Sequence, residues 1–200
     1  SSYRYSQLFY DILKMPVSIR NRVALNADAN PFQEYLMGVR YIQTNTGKIP
    51  TGYRILAEKN EQVLAENDQV LPLAYVSTAL ISEESFDQLS YPENLDTIVS
   101  RTIVSNPKKE TSYTSQMKSC TLPSDLFRQN APSTEKTDKK KLPFTVKDQV
   151  LLLFFHVEHQ GAQDVSITIN GIRNCLSGAD APYPNGNTEF TYLLSSPEAF

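Results

Sequence analysis

The sequence predicts an α+β fold, in which a small antiparallel sheet with short helices is followed by a β-sandwich-like, all-β region. Apolar residues first recur at helical spacing, and from Val39 their spacing changes to the alternation of a strand. After Pro143 each patterned segment reads as a strand, and no helical pattern separates them. We therefore divide the chain into an α+β region at residues 1–104, a loop-rich connection at 105–145 and a β-sandwich-like region at 146–200.

Two helices are expected before the sheet. Pro16 ends the first, because proline cannot continue the helical hydrogen-bond ladder. The second begins where Asn30 provides an N-cap and Pro31 suits the first turn, and we expect it to end at Met37, before Gly38. The first helix is indicated by apolar and aromatic residues that share one face, namely Tyr5, Leu8, Phe9, Ile12 and Leu13.

The sheet of the α+β region is predicted from alternating β-branched and aromatic residues interrupted by turn residues. Ser82 is expected to cap a short helix that carries Phe86 and Leu89, and Pro92 to open another. The expected sheet segments are a strand from Val39, a turn at 47–52, a hairpin of 53–58 and 62–66 around Lys59-Asn60, and an apolar strand at 70–80.

The β-sandwich-like region begins with an apolar strand at 149–157, whose composition is that of a strand buried on both faces. Asn170-Gly171 is a strong signal for a two-residue hairpin turn, and it joins strands at 165–169 and 172–176. A long, turn-rich loop follows. The last strand is indicated by alternate inward residues, Phe190, Tyr192 and Leu194.

Composition and charge exclude several classes of function. A net charge of -3 and a pI near 5.4 provide no overall attraction to phosphate backbones, so we predict no nucleic-acid partner. His156 and His159 point to opposite faces of one strand, and the cysteine spacing fits no metal or redox motif, so we predict no metal and no cofactor. We interpret Cys120 and Cys175 as separate thiols, with one bridge between them as the alternative.

No catalytic residue is predicted. The densest acidic neighbourhood is better interpreted without a substrate, because Glu83, Glu84 and Glu93 lie in the expected first turns of helices and interact favourably with the helix dipole. The alternative is a catalytic pair near a sheet edge. The residues concerned are Glu83, Glu84, Glu93 and Asp96.

The loop at 177–187 holds the candidate binding residues, because it combines an aromatic ring with carboxylate and amide groups. An aromatic face stacks on the C–H groups of a pyranose ring, while Asp and Asn side chains bind its hydroxyls. The candidates for binding a carbohydrate are Asp180, Tyr183, Asn185 and Asn187. The alternative is a loop that only turns the chain, with Tyr183 folded inward.

Both regions carry sequence segments that resemble one bacterial family. Between Met37 and Tyr75, MGVRYIQT is followed by GYRILAEKNEQVLAEND and QVLPLAYVS, an order that resembles the YfhO-type polytopic membrane proteins. The β-sandwich-like region adds VLLLFFHVEHQG, DVSITINGIRNCLSG and APYPNGNTEFTYLL, which are similar to Gram-positive members of that family. These segments are signatures of a fold and identify no catalytic residue.

The resemblance implies that these 200 residues are the water-soluble part of a larger membrane glycosyltransferase of the C-type superfamily. The activity that the resemblance implies for the larger protein is transfer of a sugar from an undecaprenyl-phosphate carrier to cell-envelope polymers such as teichoic acid. The implied location is the extracytoplasmic face of the bacterial membrane, and the implied partners are the transmembrane portion of the same polypeptide and a cell-envelope glycan. The chain itself would be non-catalytic and would recognise the acceptor or brace the enzyme. A stand-alone carbohydrate- or protein-binding module is the alternative.

Overall fold

The computed structural model describes residues 6–16, 30–121, 149–182 and 184–195. The α+β fold class is confirmed: short helices accompany a three-stranded antiparallel sheet, and antiparallel strands dominate the rest. The helical elements are a π-helix at Gln7–Ile12, α1 (Pro31–Leu36), a 3-10 turn at Thr46–Lys48, α2 (Glu83–Asp87) and α3 (Glu93–Ser100). The strands are β1 (Tyr41–Asn45), β2 (Arg54–Lys59), β3 (Gln62–Glu66), β4 (Leu80–Ser82), β5 (Thr102–Val104), β6 (Val150–His156), β7 (Val165–Ile169), β8 (Ile172–Leu176) and β9 (Glu189–Ser195).

The N-terminal sheet has the strand order β1-β3-β2, and both of its strand pairs are antiparallel. Val63 and Ala65 of the central strand are fully buried and pack with Tyr53 in a small core of their own. The hairpin between β2 and β3 turns at Asn60 and Glu61, which both have positive φ. This turn lies one residue later than the predicted turn at Lys59-Asn60. Positive φ at both central residues matches the twist of the flanking strands.

A larger core lies beneath the π-helix. Strands β4 and β5 pair in parallel, and the helices α2 and α3 pack beside them. Asn30 caps α1 as predicted: its Oδ1 accepts hydrogen bonds from the amides of Phe32 and Gln33. The buried members of this first core are Phe9, Ile12, Leu13, Met15, Ile81, Phe86, Leu95 and Leu193.

The C-terminal strands form two antiparallel pairs, β6 with β9 and β7 with β8, which pack on a second core. Phe190 and Tyr192 are fully buried in it, and the Tyr192 hydroxyl donates a hydrogen bond to the Ile167 carbonyl at 2.9 Å across the two pairs. The Phe155 and Tyr192 rings stack with their centroids 5.8 Å apart. This is the sandwich-like arrangement that the alternating pattern predicted.

The ribbon of β6 and β9 contributes to both cores, one on each face. Leu193 belongs to the first core, whereas its neighbours Tyr192 and Leu194 belong to the second. The same alternation holds on β6, where Leu152 packs on the first core and Leu153 on the second. Because successive side chains of a strand point to opposite faces, one apolar strand serves two cores. The α+β region and the sandwich-like region therefore meet at this ribbon.

The prediction of an apolar strand at 70–80 is wrong for most of that segment. Only Leu80–Ser82 forms a strand, and residues 71–79 run as irregular backbone. Pro72 has no amide hydrogen for a strand ladder, and the stretch is strongly exposed at Leu73 and Val76. High β-propensity therefore did not produce a strand here, because none of the strands in the described ranges lies beside it.

Residues 105–121 are the described part of the predicted connection, and they form neither helix nor strand. The two thiols differ in environment: Cys175 is buried in β8, Cys120 is exposed, and both are free. Within the described residues, no helix is long and apolar enough to span a membrane.

Candidate functional site

The candidate binding loop connects β8 to β9, and Asn185 holds it in shape. The Asn185 Oδ1 accepts hydrogen bonds from the amides of Ser177 at 3.2 Å and Asn187 at 3.1 Å. Its Nδ2 donates to the carbonyl of Cys175 at 2.8 Å, and Asn187 Nδ2 donates to the same carbonyl at 3.0 Å. The two predicted amide ligands thus bind the loop's own backbone, and their function in this structure is to stiffen the loop.

The other end of the loop is attached to the segment before β7. The Gly178 amide donates to Asp164 Oδ1 at 2.8 Å, and the Ala179 amide donates to the Gly161 carbonyl at 2.9 Å. Gly178 approaches this segment so closely that a Cβ atom would lie 2.1 Å from the Ala162 carbonyl oxygen. Hydrogen bonds to two different parts of the fold therefore hold the loop in one conformation.

Asp180 lies at an exposed turn of this loop, where the Ala181 amide donates to the Gly178 carbonyl at 3.1 Å. Its side chain faces solvent, unlike those of Asn185 and Asn187, which are half-buried. Tyr183, the predicted stacking residue, lies outside the described residues. The structure therefore separates the candidates into one exposed carboxylate and two amides that maintain the loop.

A polar cluster on the N-terminal sheet was not identified from the sequence. Glu66 is almost completely buried, and its Oε1 accepts hydrogen bonds from Arg40 Nε at 3.1 Å and the Tyr41 hydroxyl at 3.0 Å. Arg54 Nη2 lies 2.5 Å from the other carboxylate oxygen. The Tyr41 and Arg40 hydrogen bonds hold the pKa of Glu66 below its usual range. The register of the three strands is the signal that could have revealed this cluster, since Tyr41, Glu66 and Arg54 are direct neighbours across them.

Glu34 is a second buried carboxyl that the sequence did not reveal. It lies on α1 with only 8% of its area exposed, and its Oε2 has no hydrogen-bond partner among the described residues. Burial raises its pKa from 4.5 to about 7, since the charged form loses hydration. The Tyr53 hydroxyl donates to the Val39 carbonyl, and burial together with the neighbouring Glu34 charge raises the pKa of Tyr53.

The protein is expected to lose stability as Glu34 ionises. Native Glu34 holds its proton up to about pH 7, whereas the unfolded chain releases it near 4.5, so the native state binds more protons between these values. The free energy of unfolding should therefore fall from about pH 4.5 to 7 by roughly 2 kcal/mol, after allowance for solvent screening. Glu34→Gln should remove this contribution and stabilise the protein above pH 7. Urea unfolding at pH 4.5, 6 and 8 measures it.

Exposed Glu84 on α2 provides the matched control for this experiment, because Glu84→Gln makes the same chemical change in solvent. Its pH profile should follow that of the natural chain. Parallel profiles for Glu34→Gln and the natural chain would show that Glu34 ionises normally in the folded protein.

Structural roles explain the positions of the two histidines and of the acidic residues singled out from the sequence. His156 Nδ1 is 2.5 Å from Glu189 Oε1 on the adjacent strand, whereas His159 Nε2 is 2.7 Å from the Gln163 carbonyl. Among the described residues, no group of three His, Cys, Asp or Glu side chains is arranged to hold a metal ion. The acidic residues occupy the first turns of two helices, with Glu83 and Glu84 on α2, and Glu93 and Asp96 on α3.

Comparison of the chain with models of protein families, with curated proteins and with solved structures found no match.

Proposed function

We propose that this chain is an extracytoplasmic accessory domain of a multi-spanning membrane glycosyltransferase similar to the YfhO-type proteins. The proposal is supported by the sequence segments that carry the resemblance and by a physical reason for their residues. The segment GVRYI contributes Arg40 and Tyr41, GYRI contributes Arg54, and these three side chains meet at the buried carboxylate of Glu66 from AEN. In this proposal, these residues of the N-terminal segments maintain a sheet, and the transfer chemistry belongs to the membrane part.

The role of the chain in this proposal is to contact the acceptor polymer at the β8–β9 loop while bracing the enzyme. The observation that carries it is a loop fixed by Asn185 and Gly178 that exposes Asp180. A loop already held in one conformation loses little entropy on binding. An ionised carboxylate accepts hydrogen bonds from sugar or polyol hydroxyls, as a cell-envelope glycan or teichoic acid would offer.

The remaining parts of the reaction belong to the membrane portion in this proposal. The sugar donor on undecaprenyl phosphate and the catalytic acid or base would be supplied by the transmembrane portion of the same polypeptide. The chain would then work at the extracytoplasmic face of the membrane and need no cofactor of its own.

Asp180→Ala is expected to lower sugar transfer to the envelope polymer about tenfold in cells that produce the complete protein, since one charge-assisted hydrogen bond is worth about this factor. Asp87→Ala on α2 is the control, because Asp87 is also exposed but lies outside the loop. Incorporation of labelled sugar into the envelope measures both. Equal incorporation by the two variants would contradict acceptor recognition through Asp180.

If the chain is instead a stand-alone binding module, we expect a different result from the same Asp180 and Asp87 variants. The chain on its own would then bind a purified envelope glycan in calorimetry, and Asp180→Ala would weaken that binding without any effect on sugar transfer in cells. The exposed carboxylate on a fixed loop serves this alternative as well, so the transfer measurement decides between the two.

A further inference from the structure

The chain contains two Asn-Gly dipeptides, at 170–171 and 185–186. In this dipeptide the glycine amide nitrogen can attack the side-chain carbonyl carbon of the asparagine, because glycine has no Cβ atom to hinder the approach. The attack forms a cyclic imide and releases ammonia, without any enzyme. Since both dipeptides offer the same reacting groups, the structure around each asparagine decides which of them reacts.

Asn170 and Gly171 form the exposed two-residue turn between β7 and β8. The strand ladder ends at the pair of Ile169 and Ile172, so the turn lies at the tip of a two-stranded ribbon, where local opening costs little free energy. A Cβ atom added at Gly171 would meet nothing within 4 Å. No hydrogen bond to another described residue holds the Asn170 side chain. The side-chain amide and the glycine nitrogen are therefore free to approach one another.

Asn185 and Gly186 have the opposite environment. The Asn185 Oδ1 accepts hydrogen bonds from the Ser177 amide at 3.2 Å and the Asn187 amide at 3.1 Å. Its Nδ2 donates to the Cys175 carbonyl at 2.8 Å. Attack by the Gly186 nitrogen requires the side chain to rotate, and this rotation breaks its hydrogen bonds to three different backbone groups. The contacts that stiffen the candidate binding loop therefore also protect its asparagine from modification.

We propose that Asn170 is a site of spontaneous conversion to aspartate and isoaspartate, and that the fold protects Asn185 from the same modification. In the first step the Gly171 nitrogen bonds to the Asn170 Cγ, the Cγ–Nδ2 bond breaks, and Nδ2 leaves as ammonia with the proton of the Gly171 amide. Water then opens the cyclic imide. Cleavage of the new Cγ–N bond gives aspartate, whereas cleavage of the original backbone C–N bond gives isoaspartate. This inference holds independently of the proposed transferase.

The two products act differently on the β7–β8 hairpin. Both add a negative charge at residue 170, but isoaspartate also lengthens the backbone of a two-residue turn by an extra carbon atom. The register pairs Ile169 with Ile172 across a turn of fixed length, so a longer turn disturbs this pair. Aspartate keeps the original backbone, and it tolerates the positive φ of 48° that Asn170 adopts. The isoaspartate form therefore loosens the hairpin, whereas the aspartate form keeps it.

The test is peptide mapping by mass spectrometry after the folded full chain has been kept at mildly alkaline pH, which favours loss of the glycine amide proton. Conversion at Asn170 and at Asn185 is measured in the same samples, and each rate is divided by the rate of the same site in urea. This ratio cancels the effect of the flanking residues, which differ between the two sites. The fold should slow Asn185 at least about tenfold more than it slows Asn170, since local opening that breaks several hydrogen bonds costs at least this factor.

Amide hydrogen exchange measures the consequence for the hairpin. Exchange in β7 should be faster in molecules that contain isoaspartate, separated by chromatography, than in unconverted molecules. Asn170→Asp is the matched control, because it adds the charge without the extra backbone atom and should exchange like the natural chain. Equal slowing of the two asparagines by the fold would overturn the proposal, and so would an Asn170 that stays intact in the folded chain while it converts in urea.

Discussion

Leu193→Ala is expected to destabilise the protein by about 2–5 kcal/mol, the range for removing a buried leucine without collapse of the cavity. Leu193 is 7% exposed and lies on β9, where it faces the first core, while Tyr192 and Leu194 face the second. The loss should therefore loosen both the α+β region and the sandwich-like region. Urea unfolding measures the size of the effect, and amide hydrogen exchange measures its location.

The exchange pattern makes this prediction specific. Amides in β4 and in β7 should exchange faster by a similar factor, because the β6–β9 ribbon joins the two cores. Leu56→Ala, at a half-exposed position of β2, should change neither. Faster exchange in β4 with β7 unaffected would mean that the two cores unfold independently.

Gly178→Ala is expected to cost about 1–3 kcal/mol and to displace the candidate binding loop. A Cβ atom would stand 2.1 Å from the Ala162 carbonyl oxygen, and this obstacle is backbone, which cannot rotate away as a side chain would. The two segments must separate, which breaks the hydrogen bond from Gly178 to Asp164 at 2.8 Å. Asp180 then leaves its position, so under the proposed function sugar transfer should fall together with stability. Thermal unfolding and labelled-sugar incorporation measure the two effects.

Gly47→Ala is the matched control, since a Cβ atom at Gly47 meets nothing within 4 Å. It should leave the unfolding temperature and transfer nearly unchanged. If Gly178→Ala behaved in the same way as Gly47→Ala, the close approach of the loop to residue 162 would be wrong.

Local signals predicted well those elements whose interactions are local. Asn30 followed by Pro31 predicted the start of α1, and the Asn30 side chain caps it. Asn170-Gly171 predicted a hairpin turn, and both residues have positive φ, as a two-residue turn between paired strands requires. In such cases the residues that form the interaction are neighbours in the sequence, so the pattern contains all that is needed.

At the candidate site, local sequence signals were not sufficient to predict which side chains are free. The residue types in the β8–β9 loop indicated hydroxyl-binding groups, but which of them remain free depends on backbone partners elsewhere. Asn185 and Asn187 bind the Cys175 carbonyl, which only the return of the chain brings within reach, and Asp180 has stayed exposed. Likewise, the apolar pattern at 70–80 predicted a strand, yet a strand forms only where a partner strand lies alongside.

The sequence by itself determined the α+β class, the Asn30 and Ser82 caps, the Asn170-Gly171 turn and the apolar character of both faces of β6, because these follow from periodicity and short-range hydrogen bonding. The tertiary structure decided that β6 pairs with β9, that Glu34 Oε2 is buried with no hydrogen-bond partner in the described part of the chain, and that two arginines converge on Glu66. Each of these depends on contacts between residues distant in the chain, whose free energy comes from excluding water between particular surfaces. Sequence spacing does not encode which surfaces meet.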